Sequence, residues 1–320
     1  MLRIRSFSLL CRLTTCVALL PVLAAALLVS CGDGNDGKSD DAARRPFEVA
    51  ITSSDLAVGK QRFAFVALKD DVPITQETMH LRFFKIPPSG EPQLVGEGPI
   101  PWSPLGIKST EGHDGGSHQE TEITGVYYAN VEFDEPGTWG LGVSRGQQAD
   151  PSKEVRVQFT VKPATQAPAI GARAVPVKNA TLKDAPLKQI DTSPAPDPAF
   201  HQLTIAEAIA SGKPSIIAFA TPSFCTSRAC GPAMEGVTAA WKRFGDRVNV
   251  VHVEPYQLTA DGQLVLKDGQ RVNAEAGDAW RLPTEPWVFV VDSRGVVAAR
   301  FDGPFALEEL TFVLGQLAGA

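Results

Sequence analysis

The chain has 320 residues, 43% of them hydrophobic and 21% charged, a composition typical of a globular protein with about two domains. Its formal net charge is −6, and the part after the N-terminal segment has no basic stripe. This charge argues against a nucleic-acid-binding surface, so we expect no nucleic-acid partner.

Residues 1–30 have the pattern of a secretory signal peptide. Three arginines precede an apolar run at residues 17–29, which Pro21 interrupts, and the run is too short to favour a spanning helix. The sequence Leu-Val-Ser-Cys at 28–31 resembles the lipobox of bacterial lipoproteins. The resemblance implies lipidation of Cys31 and an exported protein, anchored at the outer face of the cytoplasmic membrane or the periplasmic face of a membrane. A plain signal peptide with an incidental cysteine is the alternative.

Of the five encoded cysteines, only two are expected to remain as thiols. Cys11 and Cys16 leave with the signal peptide, and Cys31 would carry the lipid. The remaining pair, Cys225 and Cys230, lies in a compartment where disulfides persist. A pair left alone in a mature chain indicates thiol chemistry more strongly than either cysteine singly.

After a polar, flexible tether at residues 31–45, residues 46–162 predict an antiparallel β-sandwich. Short apolar or alternating runs are separated by turn formers such as Pro-Pro-Ser-Gly and Glu-Pro-Gly. The predicted strands cover residues 47–51, 62–68, 80–86, 125–133, 138–143 and 155–161. The run at 125–139 resembles the last strands of immunoglobulin-like domains of exported bacterial proteins, a resemblance that implies no activity.

A glycine-rich loop in this part contains His113, Asp114 and His118. Two imidazoles and a carboxylate can close on a copper or zinc ion, but the spacing matches no standard site. We favour a polar surface loop with incidental histidines, and we interpret His80, beside Met79 in a predicted strand, in the same way. We therefore predict no resident metal and no cofactor.

Residues 163–198 are rich in proline and predict a semi-rigid linker or an extended segment packed on a domain surface. Residues 199–320 then predict an α/β domain with the element order α-β-α-β-α-β-β-α. A capping box at Thr204 and Glu207 opens the first helix, and Gly212 ends it. The predicted strands of this part cover residues 215–220, 248–253, 287–291 and 296–301.

The candidate active site is the turn that contains Cys225 and Cys230. A buried strand that delivers Cys225 to the first turn of a helix predicts a reactive thiol, because the helix dipole stabilises the thiolate. Arg228 in the same turn would lower the thiol pKa further. In one regular helix the two Cα atoms would be roughly 8–9 Å apart, whereas a disulfide needs less than about 7 Å. Disulfide formation therefore requires an unwound first turn or a Cys225 outside the helix. We expect a turn that is helical when reduced and partly unwound when oxidised.

The last part of the chain resembles a thioredoxin-fold domain, as found in membrane-anchored thiol–disulfide oxidoreductases. The likeness rests on the cysteine turn after the first core strand, on Pro286 before the next-to-last strand, and on the terminal hairpin. It implies a cis peptide at Pro286, attack by Cys225, resolution by Cys230, and protein thiols or disulfides as substrates. Glu285 would lie close to the thiols and oppose thiolate formation or relay a proton. A solvated carboxylate at the rim of the site is the alternative.

Other functions remain open. The C-x-x-x-x-C spacing, which replaces the thioredoxin C-x-x-C, resembles peroxiredoxins of the bacterioferritin-comigratory-protein type. Ala218 and Pro222 stand where that family has its proline and threonine, so the hydroxyl that orients peroxide is missing. A non-catalytic surface binding module with a structural disulfide is a third interpretation. A copper site like that of Sco proteins would need a histidine near the cysteines; we interpret His252, between two valines of a strand, as structural.

Overall fold

The computed structural model describes residues 46–106 and 123–319, which form a β-rich part followed by an α/β part. The expectations for the signal peptide, Cys31, the tether and the loop with His113 and His118 concern residues outside these ranges. None of the helices within the described ranges has the length and apolar character needed to cross a membrane.

The β-rich part consists of two antiparallel sheets that share one core. Its strands are β1 (Glu48–Ile51), β2 (Gly59–Lys69), β3 (Val72–Pro73), β4 (Thr78–Lys85), β5 (Gln93–Pro101), β6 (Ser103–Pro104), β7 (Gly125–Phe133), β8 (Gly137–Arg145) and β9 (Val155–Val161). One sheet has the order β1-β2-β7-β6 with β3 beside β2, and the other has the order β5-β4-β8-β9. Phe63 and Phe65 of the first sheet pack with Leu81, Phe83 and Leu141 of the second.

The six strands predicted for this part are confirmed, with ends that differ by up to three residues. Strand β5 was not predicted, because Gly96, Gly98 and Pro99 interrupt its apolar pattern. It lies at a sheet edge, where a proline without an N–H group leaves no gap in an internal hydrogen-bond ladder.

The α/β part has the predicted order of helices and strands. Its elements are α1 (Ile205–Ala210), β10 (Ser215–Phe219), α2 (Cys230–Phe244), β11 (Asn249–Val253), β12 (Leu266–Lys267), β13 (Gln270–Arg271), α3 (Glu275–Trp280), β14 (Trp287–Val291), β15 (Val297–Asp302) and α4 (Leu307–Ala318). The main sheet has the order β11-β10-β14-β15, in which β10 pairs parallel with β11 and antiparallel with β14. The capping box at Thr204 and Glu207 is confirmed. Residues 267–270 form the turn between β12 and β13.

Helices cover both faces of this sheet because its strands are apolar on both sides. On one face, Ile216 and Val290 pack with Val237 of α2 and Leu310 of α4. On the other face, Ile217, Phe219 and Phe289 pack with Ile205 of α1 and Trp280 of α3. The carboxyl end of β10 therefore delivers the cysteine turn to the edge of a fully buried core.

The proline-rich segment before α1 packs on the α/β part. Ala167, Ala174 and Val177 are buried in the core on the α1 and α3 face, and Trp280 donates its indole N–H to the carbonyl of Val175 at 3.1 Å. The later residue Ile190 is also buried. This segment contributes side chains to the interior of the α/β part.

The two parts contact each other through polar groups with little solvent exposure. Arg62 of β2 forms a two-pronged ion pair with Glu309 of α4, at 2.7 Å and 2.9 Å, and both side chains are 8% exposed. Arg300 of β15 bonds to the carbonyl and the carboxylate of Asp55 at 2.8 Å and 3.2 Å. The Leu307 N–H donates to Leu105 O at 3.0 Å, which ties the start of α4 to the β-rich part.

Candidate active site

Cys225 lies outside helix α2. After β10, residues Pro222–Phe224 form one turn of 3₁₀ helix, and Cys225 has an extended backbone with φ −74° and ψ 116°. Helix α2 begins at Cys230, so the expectation that Cys225 occupies its first turn is wrong. Arg228 has a left-handed backbone with φ +58°, which interrupts a continuous helix from Cys225 onward. Pro232 also opposes such a helix, because it has no N–H to donate to the Arg228 carbonyl.

This placement changes the expected redox rearrangement. Both cysteines are free thiols in this structure, and Cys225 is already non-helical. The prediction that the reduced turn is helical is therefore wrong. The other possibility raised by the spacing, a Cys225 outside the helix, is the one observed.

The Sγ atom of Cys225 receives hydrogen bonds from several groups. The Cys230 backbone N–H donates to it at 3.3 Å, and the Ser227 hydroxyl lies 3.2 Å away. The Cys230 thiol, the Ser227 hydroxyl and the N–H groups of Cys230 and Ala229 together lower the pKa of Cys225 to about 6, against the opposing effect of burial. Cys225 is therefore mostly thiolate at neutral pH, and it is only partly buried.

Cys230 has the opposite environment. Its side chain is fully buried against α2 and the sheet. The hydrogen bond with Cys225 raises the pKa of Cys230 far above its usual range, and burial and the negative charges of Cys225 and Glu285 act in the same direction. The pair therefore holds one proton, on the buried sulfur.

Arg228 is exposed at the outer side of the turn. The groups named above that lower the Cys225 pKa are short-range hydrogen-bond donors. A contribution of the Arg228 charge stays a prediction, whereas its left-handed backbone is an observed feature of the turn.

The peptide bond between Glu285 and Pro286 is cis, as the resemblance implied. The Ser227 hydroxyl oxygen lies 3.4 Å from the carbonyl oxygen of Glu285, so this peptide lies beside the cysteine turn. Pro286 directly precedes β14, and Trp287 of β14 pairs with Phe219 at the end of β10. The cysteine turn and the cis-proline segment thus occupy the same end of the sheet.

The Glu285 carboxylate is held by two partners and is not a solvated group. Tyr256 donates its hydroxyl to Oε2 at 2.5 Å, Arg271 donates from Nη1 to Oε1 at 2.9 Å, and the Glu285 side chain is 8% exposed. The alternative of a solvated rim carboxylate is therefore wrong. Its charge acts on Cys230, the thiol whose pKa it helps to raise.

Arg271 connects the small hairpin to the cysteine turn. Its Nη2 donates to the carbonyl of Phe224, next to Cys225, at 2.7 Å, and its guanidinium lies over the Tyr256 ring. Arg271, Tyr256 and Ser227 were not among the predicted site residues. Only Ser227 had a local signal, since it lies inside the motif.

The two other histidines considered from the sequence, His80 and His252, both lie in strands. His80 lies in β4, where its Nδ1 is 2.9 Å from the carbonyl oxygen of Gln147. His252 is buried in β11 and hydrogen-bonds the carbonyl of Ala220 at 3.1 Å.

Comparison with known protein families, with curated proteins and with solved structures gave no match.

Proposed function

We propose that this chain is an extracytoplasmic thiol–disulfide oxidoreductase, anchored by lipid on Cys31, with a thioredoxin-like C-terminal domain. The observation that carries the proposal is the asymmetry of the two thiols. Cys225 is accessible and has a pKa lowered to about 6, whereas Cys230 is buried and keeps its proton. An accessible thiolate beside a buried resolving thiol is the arrangement that disulfide exchange requires.

The reaction has two steps. The Cys225 thiolate attacks one sulfur of a substrate disulfide, forms a mixed disulfide and releases the other substrate sulfur as a thiolate. Cys230 then gives up its proton to solvent or to the released thiolate and attacks Sγ of Cys225. The second substrate thiolate leaves, so the substrate gains two electrons and the protein loses two as it forms the Cys225–Cys230 disulfide. The reverse sequence oxidises a substrate dithiol.

The surroundings of Cys225 support a peptide substrate. Thr226, Ser227 and Arg228 are exposed, so the turn is open to solvent on the side away from the core. The peptide between Glu285 and Pro286 lies next to Ser227, beside this exposed part of the turn. We further propose that the β-rich part is an immunoglobulin-like β-sandwich. It would serve as a spacer or as a module that docks a partner.

The test is reduction of a fluorescent disulfide-linked peptide by the reduced full chain. We expect both thiols to be consumed, Cys225→Ser to abolish the reaction, and Cys230→Ser to accumulate a mixed disulfide. Equal rates for the parent chain and Cys225→Ser would refute the proposal.

Two further measurements separate the competing functions. Consumption of hydrogen peroxide within seconds, at a rate far above that with the peptide, would indicate a thiol peroxidase. A reduction potential below about −300 mV together with no exchange would indicate a structural disulfide in a binding module.

A further inference from the structure

A buried cluster of two histidines and one aspartate lies at the outer edge of the main sheet. The His201 Nε2 is 2.8 Å and the His252 Nδ1 is 3.1 Å from the same oxygen, Oδ2 of Asp191. All three donor atoms lie within 4.8 Å of one another, and the three side chains are at most 1% exposed. Within the described ranges, these three residues are of the types that bind metal ions, and all three are completely buried.

The orientation of His252 requires a positive centre next to Asp191. Its Nε2 lies 3.1 Å from the carbonyl oxygen of Ala220, which is an acceptor, so this nitrogen carries the proton of a neutral ring. The Nδ1 lone pair then faces the Asp191 carboxylate at 3.1 Å, an arrangement that is repulsive unless a proton or a metal ion lies between them. A ring N–H donated to a backbone carbonyl is also how metal-binding histidines are usually oriented.

A hydrogen bond holds the segment of Asp191 close to the strand of His252. Glu254, two residues after His252 in the chain, accepts the N–H of Thr192 on Oε1 at 2.7 Å. Asp191 is the acidic member of the cluster, and a cation bound to it would offset the cost of burying its negative charge.

The donor set fits zinc. Two imidazole nitrogens and one carboxylate oxygen are borderline ligands that bind Zn²⁺ at about 2.0–2.2 Å. Tetrahedral ligands at this radius are roughly 3.2–3.5 Å apart. The two distances to Asp191 Oδ2 would lengthen to this value, and the two imidazole nitrogens, which lie within 4.8 Å of each other, would take the same separation. Three protein ligands leave a fourth position open for water.

We propose that Asp191, His201 and His252 form a buried binding site for a divalent transition-metal ion of the zinc type. The bound ion would fasten the segment before α1 to strand β11, since Asp191 and His201 come from that segment. The same segment contacts the cysteine turn, because the Ser223 hydroxyl donates to the carbonyl of Thr192 at 2.5 Å. The site is independent of the proposed thiol activity.

The test uses the full chain with Cys11, Cys16, Cys31, Cys225 and Cys230 replaced by serine, which removes every thiol as an alternative ligand. After exposure to Zn²⁺ and desalting, we expect about one zinc per chain by elemental analysis. Asp191→Asn and His252→Gln should lower zinc affinity at least about tenfold. As a measurement that needs no further variant, Co²⁺ should give the visible absorption bands of a tetrahedral nitrogen–oxygen site.

Two controls locate the ion. His80→Asn, in the β-rich part, should retain zinc, and so should His113→Asn combined with His118→Asn. Loss of zinc in the double variant would place the ion in that loop and overturn the proposal. Absence of both zinc retention and the cobalt bands would also overturn it, and would show that a proton alone holds His252 against Asp191.

Discussion

The backbone N–H of Cys230 donates a hydrogen bond to Sγ of Cys225 at 3.3 Å, across a turn of four intervening residues. This contact brings the first amide of α2 to a sulfur that lies outside the helix. The N-terminus of α2 therefore stabilises the Cys225 thiolate, while the thiol of Cys230 is buried in the core. The turn therefore makes the two thiols different: Cys225 is partly accessible, and Cys230 is buried.

Alkylation of the reduced chain should show this asymmetry directly. Because the pKa of Cys225 is lowered to about 6, its reaction with iodoacetamide should rise with pH, reach half its maximum near pH 6 and be nearly constant above pH 7. Cys230 should stay unmodified across this range. Mass spectrometry of peptides from quenched samples measures both. Half-maximal modification of Cys225 near pH 9 would contradict the lowered pKa.

Removal of the Ser227 hydroxyl should raise the pKa of Cys225. Ser227→Ala deletes one of the donors to the thiolate, and hydrogen bonds to charged groups of this kind correspond to about one pH unit. The alkylation profile should move to higher pH by that amount. Thr226→Ala changes an exposed neighbouring hydroxyl and is the matched control. Equal profiles for the two variants would exclude Ser227 from thiolate stabilisation.

Arg271 should position the cysteine turn without acting on substrate. Arg271→Ala removes the bonds to Glu285 and to the Phe224 carbonyl and leaves a buried carboxylate without its cation. We expect a loss of about 2–3 kcal/mol in the free energy of unfolding and slower peptide exchange. Arg271→Lys should recover part of the stability, because it restores the charge but cannot form both bonds.

Urea unfolding and the exchange assay measure these effects. Lys267→Ala, on the exposed side of the same hairpin, is the control and should match the parent chain. An exchange rate unchanged in Arg271→Ala would show that the hairpin does not hold the turn.

The Arg62–Glu309 ion pair should couple the unfolding of the two parts. Glu309→Gln leaves the Arg62 guanidinium buried without its counter-charge, which costs about 3 kcal/mol. Glutamine still offers an oxygen to the Ala306 N–H at the start of α4, so the helix cap is preserved. Glu308→Gln, at an exposed position one residue earlier, is the control.

In urea, we expect the Glu309→Gln variant to unfold earlier than the parent chain, with separate transitions for the two parts. Tryptophan fluorescence and far-ultraviolet circular dichroism should then no longer coincide. A single transition at the same urea concentration as in Glu308→Gln would mean that the ion pair does not couple the two parts.

Local patterns in the sequence predicted most elements of the fold. Alternating apolar residues predicted the strands around Phe63 and Leu141, and the Thr204–Glu207 capping box predicted the start of α1. The start of α2 had one local signal, Pro232, which has no backbone N–H and is tolerated only in the first turn of a helix. Residues 225–229 themselves carry no helix breaker, and the left-handed φ of Arg228 is a feature that only the structure shows.

The sequence by itself determined the element order, the cysteine pair and the position of Pro286, because each depends on residues adjacent in the chain. The tertiary structure decided which groups surround the thiols and how the two parts meet. Arg271 reaches a carbonyl 47 residues away, and Arg62 reaches a carboxylate 247 residues away. No local pattern encodes such contacts, since they form only when the folded chain brings distant residues together and each buried charge needs a partner.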